Sequence, residues 1–244
     1  AYMEAKWSVL QNTLDSMTMV DLSPVIEQGM PKWPTHPPVI LDKSATHAHD
    51  NYYCQTLIFG EHTGAHVDAP AHMVASMMAN TIDTYPANMI FGAAVKYDLA
   101  SLGVPFGERV TRAQILRLED SMGDAAAAGE IPVFCFDHQK YWSSGADWKY
   151  SVINEAGLDE DAVKLFLERR VKACGFDTAG GDQPLKDGLE YPAYGHRKYW
   201  LPNEIFIIEN LHNLDQVPQR FYLIALPLRI REGSGSPIRP VAFF

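Results

Sequence analysis

The densest chemistry in the chain lies in one short run, His62-Thr63-Gly64-Ala65-His66-Val67-Asp68-Ala69-Pro70-Ala71-His72. A helix would put His62 and His66 on one face but aim Asp68 away from them, and Gly64 and Pro70 both oppose a helix. In an extended strand the side chains alternate with a period of two, so His62, Gly64, His66 and Asp68 project to one side. Gly64 then leaves space between the two imidazoles, and Pro70 ends the ladder and turns His72 back toward the same point. Two neutral imidazoles and a carboxylate form a ligand set that a divalent transition ion prefers. Three protein ligands leave positions open for water and substrate, as a catalytic site does and a closed structural site does not. Any one of these histidines alone reads as a hydrogen-bonded group on a polar face. Packing gives no reason for the H-x-x-x-H-x-D-x-x-x-H spacing of the set.

Glu209 ends the apolar run Ile205 to Ile208, where a carboxylate is either a strand-end surface group or a ligand at the mouth of a site. Asp137-His138 follows another apolar run and reads as a solvated strand end. His47 and His49 lie in a polar stretch with no partner spacing and read as exposed. Trp33, Phe59, Tyr194, Tyr199 and Trp200 could wall a site for a flat substrate, although core packing is the default for any aromatic residue. The sequence has no G-x-S-x-G elbow and no glycine-rich phosphate loop.

These residues need a scaffold, and the apolar pattern supplies one. Trp7, Leu10, Leu14 and Met17 recur at helical spacing, which predicts an amphipathic helix over residues 3–17 whose stripe covers another surface. Ser23 to Pro38 holds five prolines and Gly29, too many fixed dihedrals for a regular element, and reads as an ordered extended loop. Strand-length apolar runs follow at Thr56–Phe59, Ala93–Leu99, Ile131–Phe136, Val171–Phe176, Ile205–Ile208 and Phe221–Leu226. Between them, Thr111 and Gln114 resemble a capping box that opens a helix running toward Ala128. A second helix starts near Asp159, with Val163, Phe166 and Leu167 on one face. Glu232 to Pro237 reads as a flexible turn into a last short strand. With no repeat, linker or low-complexity tract, residues 1–244 are expected to form a single α/β domain.

Composition narrows the classes further. The 244 residues carry 20 Lys and Arg against 30 Asp and Glu, a net charge of −10, with 47% hydrophobic and 20% charged residues. That is enough apolar material for a core, and the acidic balance without a basic run argues against a nucleic-acid surface. Apolar stretches such as Phe221 to Leu228 fall well short of the roughly 18 residues of a membrane helix. The first residues show no signal peptide pattern. Cys54, Cys135 and Cys174 are odd in number and widely spaced; the last two sit in apolar runs and read as buried hydrophobes. A disulfide framework is not expected, and a reducing, cytoplasmic location is.

His62 to His72 resembles the H-x-G-T-H-x-D-x-P-x-H signature of the cyclase-like metal-dependent hydrolases, the family of bacterial kynurenine formamidase and isatin hydrolase. The likeness extends to Asp21-Leu22-Ser23, Gly29-Met30-Pro31 and Trp33-Pro34, to Phe176-Asp177-Thr178, to Ile207 through Leu211, and to Ala225 through Leu228 with Gly235 through Arg239. It implies a swivelling β/β/α fold with a central mixed sheet, in a homodimer or larger assembly such as a tetramer. It also implies that His62, His66 and Asp68 bind a first metal while His72 transfers protons beside it. In two-metal members a second ion is held by the bridging Asp68 with His196 and Glu209. The chain departs from the pattern at Ala65, where a Thr is usual, and at Tyr194, which occupies the place of the later His. The implied chemistry is hydrolysis of the C–N bond of a small amide, an aryl formamide or a cyclic amide, by metal-activated water. Zn2+ or Mn2+, one or two per chain, would be the cofactor, with Trp33, Phe59 and Tyr194 against the substrate. A lactone hydrolase or cyclase using the same ion, or a metal-binding protein without catalysis, are the alternatives.

Overall fold

The structure is a computed structural model that describes residues 2–105, 107–153, 155–182, 185–186, 189–190 and 192–244. Nine strands form one curled mixed sheet: β1 (Met19–Asp21), β2 (His66–Asp68), β3 (Phe91–Asp98), β4 (Ile131–Cys135), β5 (Ala173–Phe176), β6 (Phe206–Glu209), β7 (Arg220–Ile224), β8 (Gly235–Pro237) and β9 (Val241–Phe243). Their order across the sheet is β1-β9-β7-β3-β4-β5-β6-β2-β8. The steps β3-β4, β4-β5 and β5-β6 are parallel, while β6-β2, β2-β8 and the strands from β3 outward through β7 to β1 pair antiparallel.

The central strands are apolar on both sides because the sheet is covered on both. Along β4, Ile131, Val133 and Cys135 face one core with Val67, Ile208 and Leu223, while Phe134 faces the other with Tyr97, Phe166, Phe176 and Trp200. A parallel centre buried on two faces reads as a near-continuous apolar run, which is how these segments stand out in the sequence. The second core is covered by α2 (Arg112–Met122) and α3 (Glu160–Glu168), which bury Ile115 and Leu118, and Val163 and Phe166.

The capping box at Thr111 and Gln114 is present, but α2 stops at Met122 rather than running to Ala128. Gly123 takes the left-handed conformation at φ 64° and bonds back to Glu119, which closes the helix early. Helix α1 (Tyr2–Ser16) forms, yet much of its apolar stripe is open: Trp7 is 70% exposed and Val9 and Leu10 are also exposed, while Leu14 and, just beyond the helix, Met17 are half-buried. The 23–38 segment has no regular structure, as its prolines require. A two-stranded hairpin, Ile40–Ala45 with Cys54–Ile58, stands apart from the main sheet with Ile40, Leu57 and Ile58 exposed. The Glu232–Pro237 tail is not a flexible turn, because Gly235, Ser236 and Pro237 are buried and pair with β2.

No helix among the described residues is long and apolar enough to cross a membrane. Cys135 and Cys174 are buried and Cys54 is exposed, all three as free thiols.

Candidate metal centre

The site is built where β2 lies between β6 and β8. Pairing sets Glu209 opposite His66 and Asp68 opposite Gly235, so three acid and imidazole side chains enter the same space from two adjacent strands. His62 does not continue β2. The strand begins only at His66, and Gly64 turns the chain at φ 62°, so His62 reaches the site from a loop. Gly64 is therefore required for its left-handed backbone, not for a gap between imidazoles; a Cβ there would also touch Met30 and Ile26. Pro70 ends the strand as expected, and the single turn Pro70–His72 carries His72 back over the site.

His196 arrives from a different part of the chain. It sits on a π-helical turn, Gly195–Tyr199, just before β6, and is buried. Such turns accommodate an extra residue within a helical segment and are frequent at functional sites. The turn brings Nε2 of His196 to 3.2 Å from Oδ2 of Asp68 and 3.2 Å from Oε1 of Glu209. Nε2 of His66 lies 3.1 Å from Oε2 of Glu209 and 3.4 Å from Oδ1 of Asp68. Nδ1 of His62 lies 2.7 Å from Oδ1 of Asp68, and Nε2 of His72 lies 3.9 Å from its Oδ2. Asp68 is thus common to two groups that could hold a metal ion, His62–Asp68–His72 and His66–Asp68–Glu209. His66 falls with Glu209, whereas the family pattern pairs it with His62.

Which nitrogen carries a hydrogen follows from the outer partners. Nδ1 of His66 donates to the Gly64 carbonyl at 2.8 Å, and Nδ1 of His196 donates to both carboxylate oxygens of Asp182 at 2.9 Å. Carbonyls and carboxylates only accept, so the Nδ1 atoms hold the hydrogens and the Nε2 atoms present lone pairs to Asp68 and Glu209. Lone pairs facing carboxylates at such distances require a proton or a cation among them. Among the described residues, Oδ2 of Asp68 and Oε1 of Glu209 are buried without a hydrogen-bond partner, which a bound cation would satisfy. Imidazole and carboxylate together are ligands for a divalent metal, and the residues present fit one.

Electrostatics agree. Burial opposes charge on Asp68, yet His72, His62 and His196 around it hold its carboxyl well below the ordinary value. Burial likewise opposes charge on His66 and His196, and the neighbouring Glu209, Asp68 and Asp182 outweigh it and raise both. His72 behaves oppositely. Burial, together with the other imidazoles and against the pull of Asp68, pushes it down to about 3, so it is a neutral ring. Its side chain is 22% exposed, and no hydrogen bond among the described residues fixes its ring. The His72 ring lies over that of His62, with centroids 3.9 Å apart.

A cavity of about 400 Å3 opens onto these residues, lined also by Trp33, Thr35, His36, Met73, Arg197 and Asn210. Trp33 lines it as expected. Phe59 and Tyr194 do not: Phe59 follows the separate hairpin and is half-buried, and Tyr194 packs partly into the second core beside Arg109. Tyr199 and Trp200 are also core-directed, and Trp200 is fully buried with its indole N–H on the Val163 carbonyl. Asp137 is exposed but His138 is buried, its Nε2 donating to the Ser151 carbonyl. Asp177 is buried and accepts from the Phe136 and His138 amides, so it holds a turn rather than the site. His47 and His49 are exposed.

Sequence reasoning overlooked His36, whose ring centroid is 5.6 Å from that of His62, and Asp182. The signal for Asp182 is the Ala179-Gly180-Gly181-Asp182 turn. A Cβ on Gly181 would sit 2.3 Å from the Phe176 ring, so the chain is pressed against the core immediately before the acid.

The putative cyclase family model matches residues 20–183. The chain belongs to this family. It is 26% identical over 196 residues to isatin hydrolase of Roseibium aggregatum, covering 76% of this chain and 73% of that protein. It is 27% identical over 228 residues to kynurenine formamidase of Salinibacter ruber, covering 92% and 97%. Among solved structures, isatin hydrolase A from Ralstonia solanacearum superposes with a TM-score of 0.82 at 25% identity, covering 100% of this chain and 97% of that one. The likeness includes the whole mixed sheet, so the fold is the one the sequence resemblance implied.

Proposed function

We propose that this protein is a metal-dependent hydrolase that cleaves the C–N bond of a small amide, an aryl formamide such as N-formylkynurenine or a cyclic amide such as isatin. The observation that carries this reading is the convergence of His62, His66 and His196 with Asp68 and Glu209 beside a cavity, next to the His72 imidazole, whose ring no hydrogen bond among the described residues fixes. The names of the family relatives support the substrate type.

His62, His66, His196, Asp68 and Glu209 would hold the metal, with Asp68 shared if two ions bind. Zinc or manganese suits imidazole and carboxylate equally. When bound, such an ion polarises the substrate carbonyl and makes a neighbouring water more acidic. His72 takes a proton from the attacking water at its unprotonated ring nitrogen and passes it to the leaving nitrogen, and the product is a carboxylate. Trp33 offers a flat wall to an aromatic ring, and a cavity of about 400 Å3 suits a substrate of one or two rings. The exposed apolar residues of α1 and of the Ile40–Ile58 hairpin support a homo-oligomer, a dimer or a tetramer.

Substitution of His72 tests the reading. His72→Ala is expected to retain metal near the parental content, measured by elemental analysis, and to lose turnover by 100-fold or more, within the roughly 10²–10⁴-fold range of acid–base groups. Loss of metal together with activity would make His72 a ligand and remove its assigned role. A panel of formamides, cyclic amides and lactones separates an amidohydrolase from a lactonase on the same fold.

A further inference from the structure

The Gly233-Ser234-Gly235-Ser236 segment lies against His62, and its neighbour Glu61 completes a chain of three groups. Nε2 of His62 is 2.9 Å from Oγ of Ser234, and Oγ of Ser234 is 2.6 Å from Oε2 of Glu61. The Ser234 amide donates to the same Glu61 oxygen at 2.9 Å. A carboxylate accepts and does not donate, so the single hydroxyl hydrogen of Ser234 goes to Glu61. The Ser234 oxygen is then available to His62 only as an acceptor. Nε2 of His62 must therefore bear a hydrogen, which leaves Nδ1 as the lone-pair nitrogen, the atom 2.7 Å from Asp68.

The two flanking glycines let this segment approach His62 and Glu61 closely. A Cβ on Gly235 would lie 2.6 Å from Cε1 of His62 and 2.6 Å from the Val67 carbonyl oxygen, and one on Gly233 would lie 2.9 Å from Ile82 and 3.1 Å from Glu61. The ring is thus pressed from one side by Gly235 and held at its outer nitrogen by Ser234.

We propose that Glu61 and Ser234 are positioning residues for His62: they fix its tautomer so that Nδ1, and not Nε2, is the nitrogen presented to the metal. The proposal rests on His62 being a ligand, as argued above. It makes His62 unlike His66 and His196, whose outer partners take Nδ1 and leave Nε2 inward. A shared device, an acceptor on the outer nitrogen, serves all three, but here the acceptor is a hydroxyl whose polarity is set by a carboxylate one residue before the ligand.

The test uses the full chain loaded with zinc, which is diamagnetic. Zinc affinity is read by competition with a chelator, and the His62 ring by its 15N and N–H resonances. Parental protein should show a protected Nε2–H on His62. Ser234→Ala should weaken zinc binding by about 10- to 100-fold and lose that protection. Glu61→Ala should do the same, while Glu61→Gln, whose amide oxygen still accepts from Ser234, should stay within about threefold of the parent. Thermal unfolding of the metal-free variants identifies any that fail to fold, and the Glu61 pair then decides the matter. Parental zinc affinity and an unmoved His62 resonance in both alanine variants, or an Nδ1–H on His62 in the parent, would overturn the proposal. A parent that binds neither zinc nor manganese would instead overturn the metal reading beneath it.

Discussion

Asp182 grips His196 at two points: its carboxylate accepts from the His196 ring at 2.9 Å and from the His196 backbone amide at 2.9 Å. The acid therefore fixes both where the residue sits and which way its ring faces. Burial acts against charge on Asp182, but His196 outweighs it and keeps the carboxyl below its usual value.

Removing that grip should loosen the metal without removing a ligand. Asp182→Ala is expected to weaken metal binding by about 10- to 100-fold, measured by chelator competition, because groups that orient a ligand carry effects of this size. Asp182→Asn, whose carbonyl oxygen can still accept, should lose less. Equal affinities for parent and alanine variant would show that His196 needs no orientation.

The turn that carries His196 should be intolerant of bulk. A Cβ at Gly195 would lie 2.4 Å from the buried Trp200 ring, which packs against Phe176 and donates to Val163. Gly195→Ala should cost about 1–3 kcal/mol, the usual penalty for overpacking, and should also lower metal affinity by shifting His196. Urea unfolding checks the first and metal titration the second. Gly103→Ala is a useful comparison, since nothing lies within 4 Å of its added Cβ and only its left-handed backbone, φ 63°, is strained.

Much of this was legible in the residues. Strands β3 to β6 announced themselves as apolar runs because both faces of the sheet are covered, and the Thr111 cap marked the start of α2. The His62–His72 spacing marked side chains that meet in space, although not their geometry: periodicity predicts one continuous strand, while the backbone turns at Gly64. Residues that act through others, Asp182, Ser234 and Glu61, lie 14, 172 and 1 positions from the imidazoles they serve or adjoin. Only the fold brings Asp182 and Ser234 to their rings; the glycine turn before Asp182 marks a tight bend but not the imidazole it reaches. Phe59 and Tyr194 are absent from the cavity lining for a related reason, since an aromatic side chain does not announce whether it faces a cavity or a core.

Two buried neutral histidines away from the metal centre should contribute to acid unfolding. Burial pushes His138 down to about 4 and His212 down to about 4, from 6.5. With folded values below the unfolded ones, the unfolded state binds more protons, so the stability they contribute is present above pH 6.5 and lost as pH falls from 6.5 through 4. Each represents about 3 kcal/mol across that window. Urea midpoints should therefore fall steeply there, and His138→Gln, which can still donate to Ser151, should flatten the fall relative to the parent. Parallel profiles for the two proteins would place the acid sensitivity elsewhere.

The most direct measurement is anomalous diffraction from crystals of the full chain grown with manganese or zinc, paired with hydrolysis assays on the same preparation. The account predicts an ion bonded to Asp68 together with imidazoles from His62, His66 or His196, one or two such ions per chain, and activity that disappears with chelation and returns with metal. Absence of an ion at Asp68 in saturating metal, with amide hydrolysis intact, would contradict it.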